Sequence, residues 1–595
     1  MSSISNTALV ELEQSLGRQL DSLAIFNLPL ETALIYLLRI FEDRSRLPMI
    51  AAISRGKSAS DGIETAHSLA REAMGALSIL LPLLYRKNRR LKKMDPSAYK
   101  DKNYNHAGSA IEFANIYSDL KDAIRLAQIK TYFLMKGKDG HYFVPQKESI
   151  DYDARAQLIN IRSFSSDLQR NDIYLPQSSL IDLFRPYLTR GASSLITRKK
   201  NGAFIFNIPT TINNELQLMF ESVLRSKWTL DDEIQIGVYQ VGDAKKLWVS
   251  LAKICAFHES ITTFSGLPGI GMEYLPAVVE KKDIVELLSR DTGIQTKKVS
   301  EFISDITFNQ AIETNEIMFQ PLVPASNSDI LFFSPHMILF SNPERNLMKL
   351  WARRYPGPYG AKIAKKGKDE ERSLKDEFEK INQNFIAVCS KKLTYQGRVL
   401  TDIDIALYDK VGREALFIQM KWCMQPDSTI EVRDVDSKLN DGMEQLRKIS
   451  GYLHTQLDAY ENIFGKGTQR PKKVFMCVVS TSSTGSFWVK TDYVVFNKDI
   501  VLNIISRKKF SSIAEIYKAL NTAHSFISHV DYNHVFRTLS FNKNCYFLPA
   551  TRILENRNLP QKIYDWFSYF LFRLLLRDHY LTWPKIKNPS IFMKD

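Results

Sequence analysis

Residues 401–422 read TDIDIALYDKVGREALFIQMKW. Two alternating apolar runs flank a polar segment, Asp409 to Glu414, which predicts two adjacent strands joined by a short turn. Successive side chains on a strand point to opposite faces. In the first run Ile403, Ile405 and Leu407 share one face, and Asp402 and Asp404 share the other. In the second, Leu416, Ile418, Met420 and Trp422 share a face, with Gln419 and Lys421 opposite. Burying the two apolar faces gathers Asp404, Gln419 and Lys421 on the other side. A carboxylate, an amide oxygen and an ammonium so gathered suit a metal ion and a phosphate.

Working outward, the spacing predicts a helix over 370–389, with Leu374, Phe378, Ile381, Phe385 and Val388 on one side. A strand is expected near 392–396, before the hairpin, and a helix at about 434–457 after it. KKVFMCVVS, 472–480, is a continuous apolar run of the kind expected in a buried central strand. Upstream, YPGPYGAKIAKKGKD, 355–369, combines Pro, Gly and Lys and reads as a solvated linker and domain boundary.

The order helix, strand, strand, strand, helix, strand, with Asp404 followed by Gln419-Met420-Lys421, resembles the PD-(D/E)XK nuclease superfamily, the restriction-endonuclease-like fold. The Gln variant looks like its type IV restriction endonuclease branch. The resemblance covers about a quarter of the chain. It implies a DNA endonuclease using Mg²⁺ or Mn²⁺, in prokaryotic restriction or anti-phage defence, with RNA as a substrate left open. It also implies roles. Asp404 anchors the metal, Gln419 supplies a neutral amide ligand, and Lys421 orients water and stabilises charge on the phosphate. The family adds a Glu from the preceding helix. Phe378-Glu379-Lys380-Ile381 resembles that helix motif, making Glu379 the first candidate ligand and Glu377 the alternative. Asp402 lies about 7 Å along the strand from Asp404 and either holds a second metal or flanks the site. Gln445, in Gly442-Met443-Glu444-Gln445, resembles part of a motif of RecB-type nucleases and would contact phosphate or bound DNA. A chain of another class also fits, a nucleic-acid-binding or scaffold protein whose nuclease fold is inactive.

The whole reads as a multidomain α+β chain. Residues 1–150 form a mostly helical domain, with segments 5–25, 30–45, 61–92 and 108–135 at helical spacing. The run YRKNRRLKKM, 85–94, is either a phosphate-contacting patch or a charged helix end. Residues 151–354 are mixed α/β, with strands at 201–209 and 233–241, a helix at 243–258 and short strands over 317–341. The helix pair 283–291 and 297–305, separated by TGIQT, has the layout of a helix-turn-helix DNA reader. Residues 370–510 are the nuclease-like domain, and 511–595 a helical C-terminal region with an irregular segment near 539–552.

Composition narrows the classes. A 595-residue chain that is 44% hydrophobic is folded, and too long for one ordinary core. A net charge of +15 favours a polyanionic partner, nucleic acid before a membrane surface. Five cysteines without a CxxC pair argue against structural zinc and a disulfide framework. MSSISNTALVELEQ lacks the regions of a secretory leader, and no stretch approaches about 18 uninterrupted apolar residues, so a cytoplasmic location without membrane attachment is expected. His524, His529 and His534 recur every five residues, about 140° apart on a helix, so they cannot share a face. His258-Glu259 lacks the second His of a zinc protease, and Gly269-Ile270-Gly271 lacks a dinucleotide or P-loop context. Cutting both DNA strands requires two sites, so a homodimer or a defence-system partner is expected.

Overall fold

The computed structural model describes residues 2–3, 6–55, 60–88, 100–130, 132–145, 184, 186, 195–225, 228, 230–264, 276–309, 317–326, 329–339, 341–424, 426, 429–481, 493–506, 509–528, 532–541 and 544–553. The chain is mixed α+β. Two compact units separate by their internal contacts. One comprises the described residues up to Asp369 with Arg537–Leu548, the other Glu370–Phe536 with those from Pro549. Among the described residues no single helix is long and apolar enough to cross a membrane.

The first unit opens with β1 (Ser2–Ser3), α1 (Asn6–Asp21), α2 (Leu30–Ser54), α3 (Ser60–Lys87) and α4 (Asp101–Gln128). Small residues on α4, among them Ala107, Ala110 and Ala114, are buried and let neighbouring helices approach closely. The helix expected to reach residue 135 stops at Gln128, where Lys130 takes φ 58°. An antiparallel pair follows, β2 (Tyr132–Lys136) and β3 (His141–Pro145). Of the basic run 85–94, Lys87 pairs with Asp21 at 2.9 Å and lies over the Phe26 ring. Residues 89–94 lie outside the described residues.

Next come β4 (Ile196–Arg198), β5 (Phe204–Phe206), α5 (Thr210–Arg225), β6 (Gln235–Ile236), β7 (Tyr239–Gln240) and α6 (Val241–Phe264). The single strand expected at 233–241 is instead a two-residue-strand hairpin, because Gly237 takes φ 56° and turns the chain. Beyond it lie β8 (Ala277–Glu280), α7 (Lys281–Thr292), α8 (Thr296–Asp305), β9 (Val323–Pro324), β10 (Ile330–Phe333), α9 (Pro335–Leu339) and α10 (Pro343–Arg354). Strands β8, β10 and β9 form one antiparallel sheet. The pair α7–α8 turns through Gly293 at φ 70° and buries Ile284, Leu288, Val299 and Phe302. Lys298 of α8 is held by Asp243 at 2.8 Å.

Residues 356–369, expected as part of a linker, belong to helix α11 (Pro356–Ile381). The supposed breakers sit where a helix tolerates them. Pro356 and Pro358 fall in the first turn, whose backbone donors have no intrahelical partner in any case. The Tyr359 N–H already bonds the Tyr355 carbonyl at 2.9 Å.

The second unit is a five-stranded sheet, β11 (Phe385–Tyr395), β12 (Arg398–Asp409), β13 (Glu414–Lys421), β14 (Lys473–Ser480) and β15 (Val494–Asn497), in that spatial order. The first three are antiparallel, and β13, β14 and β15 run parallel. Helices α12 (Thr429–Thr455) and α13 (Ala459–Phe464) connect β13 to β14; α14 (Lys498–Ile505) and α15 (Ile513–Ser528) follow β15. One face packs Ala406, Phe417 and Val478 against Leu439, Met443 and Leu446 of α12. The other packs Ile405, Leu407, Leu416 and Ile418 against Leu374 and Phe378 of α11 and Ile516 and Leu520 of α15. Burying a side chain such as Leu374 or Phe378 contributes about 1.5–3 kcal/mol relative to exposure.

The helix expected over 370–389 ends at Ile381. The Asn382 side chain accepts the Asn384 N–H at 3.0 Å, a local turn that stops the helix. Phe385 and Val388 therefore lie on β11, which starts well before the strand expected near 392. At the opening hairpin, Asp409 accepts the Val411 N–H at 2.9 Å and Arg413 takes φ 52°. The last described elements are β16 (Tyr532–Phe541) and β17 (Asn544–Ile553), so the described residues of the segment near 539–552 are strand rather than irregular. In their sheet β17 pairs in parallel with β3. The remainder of the region expected to be helical, 554–595, lies outside the described residues.

Candidate functional site at the β12–β13 edge

The hairpin alternates as expected except at one residue. Ile405 and Leu407 face α11, but Ile403 packs with α12. The alternation therefore breaks at Asp404. Pairing between β12 and β13 also ends there, with Ile405 opposite Ile418 as its last rung. On the other side, Cys389 pairs with Ile405 and Lys391 with Ile403, while Ser390 between them takes φ 51°. A non-glycine residue in that region costs about 1–2 kcal/mol. Such irregularities re-aim side chains beside functional sites.

Asp404, Gln419 and Lys421 sit at or next to this irregularity, each bonded to a partner of its own. Asp404 is 8% exposed, and its Oδ2 accepts the Met420 N–H at 2.7 Å in place of a lost ladder bond. Burial pushes its pKa up to about 7; nearby Glu371 and Asp402 push the same way, while the Met420 N–H and Lys421 oppose. Gln419 is fully buried. Its Nε2 donates to the Asp402 carbonyl at 2.8 Å, and its Oε1 has no hydrogen-bond partner among the described residues. Lys421 donates to Gln445 Oε1, and Gln445 Nε2 donates to Asp402 Oδ1 at 3.0 Å. The approach of α12 that permits this is close. A Cβ at Gly442 would sit 3.0 Å from Lys421 Cε and 3.4 Å from Val478 Cγ1.

The helix glutamates divide differently from expectation. Glu379 is paired with Lys375 at 2.8 Å and Glu377 with Lys380 at 2.6 Å, both as pairs within the helix. Neither has a contact with Asp404. The glutamate that reaches it electrostatically is Glu371, two turns earlier. Its Oε2 accepts the Ser390 hydroxyl at 2.8 Å, across the strained residue of β11. No linear motif marks Glu371; the only signal was its place on the same acidic helix.

Among the described residues no group of three or more His, Cys, Asp or Glu side chains is arranged to hold a metal ion. A cation here draws on a mixed set. The donors that fit are the Asp404 carboxyl, whose ionisation is penalised by burial, and the unpartnered Gln419 oxygen. Both are hard oxygen donors suited to Mg²⁺ or Mn²⁺, which keep waters in the remaining positions. Elsewhere, Glu259 is engaged by the His336 ring, whose other nitrogen meets Ser45 Oγ at 2.6 Å. That ties α2, α6 and α9 together within the first unit. Gly269–Gly271 and His529 lie outside the described residues.

No family model matches the chain, and neither a curated protein nor a solved structure matches it.

Proposed function

We propose that the second unit is a divalent-metal-dependent phosphodiester hydrolase acting on DNA. One observation carries this reading. A buried carboxyl and, among the described residues, a buried amide oxygen without a partner lie on neighbouring strands beside a lysine. Buried polar atoms are ordinarily satisfied, so an orphan at such a place suggests a ligand. Asp404 and Gln419 would hold the ion, with Glu371 adding negative charge next to Asp404. Bound there, Mg²⁺ or Mn²⁺ would supply positive charge to a phosphate and lower the pKa of water. Lys421 would release Gln445 and donate to a non-bridging phosphate oxygen, stabilising charge that grows in the transition state. Gln445 and Asp402 hold the lysine meanwhile and limit its rotamers.

A second reading, an inactive nuclease fold that binds nucleic acid, is favoured by one feature. Lys421, Gln445 and Asp402 satisfy one another without any ligand. Incubation of supercoiled plasmid with Mg²⁺, Mn²⁺ or chelator separates the two. Hydrolysis predicts metal-dependent cutting, with at least about a hundredfold loss in Asp404→Ala and in Lys421→Ala, the scale of a lost charge-stabilising group. Equal cutting by all three proteins overturns the site. No cutting, with salt-sensitive DNA binding retained, supports the inactive reading.

A further inference from the structure

Strands β11 and β12 outrun the sheet to which they belong. β13 pairs with β12 only from Ile405 to Asp409, whereas β11 and β12 stay paired out to Tyr395 and Arg398. The overhang closes through Gln396 and Gly397, at φ 49° and 76°, the left-handed residues of a two-residue hairpin turn. Residues 391–395 of β11, opposite 398–403 of β12, carry Tyr395 about 14 Å past Lys391. The base is anchored, since Leu393 and Ile403 are buried with α12 and α13. Among the described residues nothing lies within 4 Å of a Cβ built on Gly397 at the tip. Val399 is 62% and Tyr395 42% exposed. Lys391, Lys392 and Arg398 are exposed, and no acidic residue occurs between Lys391 and Thr401.

We propose that this ribbon grips duplex DNA by lying in its major groove; the inference rests on the hydrolase reading and names how its substrate is held. The major groove of B-DNA, about 12 Å wide, admits a two-stranded ribbon. The major groove of an RNA duplex is too deep and narrow for side chains to read. Lys391, Lys392 and Arg398 meet phosphates at the groove edges, and the apolar tip residue Val399, on the ribbon face opposite Tyr395 and Arg398, meets the base edges. Asp404 lies where the ribbon leaves the sheet, so a duplex held by the ribbon presents its backbone at the hydrolytic site.

The test is fluorescence anisotropy of the full chain in chelator, with a labelled DNA duplex and an RNA duplex of the same sequence, between about 50 and 200 mM salt. The expected result is tighter binding of DNA than RNA by the wild type. The triple variant Lys391→Ala, Lys392→Ala, Arg398→Ala should weaken DNA binding at least about tenfold. It should also flatten log affinity against log salt by about 2 to 3, at about 0.9 per phosphate contact. A charge-keeping variant, Lys391→Arg, Lys392→Arg, Arg398→Lys, should restore both, which separates charge loss from misfolding. Wild-type affinity and slope in the alanine variant would overturn the proposal, as would equal affinity for the two duplexes. Plasmid cutting read in parallel keeps the two failures apart. Cutting by the wild type with ribbon-independent binding sinks the ribbon alone; ribbon-dependent binding without cutting sinks the hydrolase alone.

Discussion

Asp404 makes the second unit's stability depend on pH in a direction opposite to that of most carboxylates. Its pKa rises from 3.8 to about 7 in the folded protein, chiefly through burial. Below 3.8 both folded and unfolded chains hold the proton and the residue is neutral to stability. Between 3.8 and about 7 the unfolded chain has ionised and the folded one has not, so stability falls as pH rises. Above about 7 both are ionised and the loss is complete. At 1.36 kcal/mol per pKa unit that loss is about 4 kcal/mol, an upper bound because water entering the site relaxes it. Asp404→Asn removes the titration and keeps an oxygen to accept the Met420 N–H. In chelator the variant should therefore match the wild type near pH 4 and exceed it by about 1–4 kcal/mol at pH 8. Magnesium at a hundredfold excess over its Kd should return about 2.7 kcal/mol to the wild type alone. Hydrogen exchange of peptides spanning 398–421, corrected for intrinsic rates and titrated with denaturant, reads this unit separately from the rest. A difference between the proteins that does not vary from pH 4 to pH 8 would refute the reasoning, because a buried titrating carboxyl would then be absent.

Three further changes probe the same site. Gly442→Ala places a methyl 3.0 Å from Lys421 Cε, so plasmid cutting should drop at least about tenfold in single turnover; thermal melting should show no loss, since alanine favours the helix by up to about 1 kcal/mol. Gln419→Glu adds a carboxylate at a fully buried position. It should lower the Mg²⁺ concentration needed for half-maximal cutting and lower stability in chelator, and an unchanged metal titration would remove Gln419 from the ligand set. Glu371→Gln should weaken Mn²⁺ binding measured by calorimetry about tenfold, whereas Glu379→Gln, which removes only a surface pair, should leave it within about twofold.

Much of the second unit could be read from the chain because its strands carry their own signals. Leu416, Ile418 and Met420 alternate with Gln419 and Lys421, and VFMCVV, 474–479, is apolar throughout, as expected of an interior parallel strand. Elsewhere two periods fit the same residues. Leu374, Phe378, Ile381, Phe385 and Val388 satisfy a helical repeat, yet Asn382 ends the helix and Phe385, Ala387 and Cys389 continue as a strand. Prolines at 356 and 358 looked like breakers because a local reading does not know that they open a helix. β16 and β17 carry no sufficient local signal, because β17 pairs with β3, some four hundred residues away in sequence. Glu371 was hidden for a geometric reason. Its approach to Asp404 runs through Ser390, whose left-handed conformation no residue pattern at that position announces.

The most direct test of whether this site hydrolyses phosphodiesters is cleavage of DNA in water enriched in oxygen-18. If water activated beside Asp404 attacks the phosphate, mass spectrometry of the product ends should find one heavy oxygen in each new terminal phosphate. That label should require Mg²⁺ or Mn²⁺ and vanish in Lys421→Ala. New ends that carry no heavy oxygen, or labelled ends formed equally well by Lys421→Ala, would contradict it.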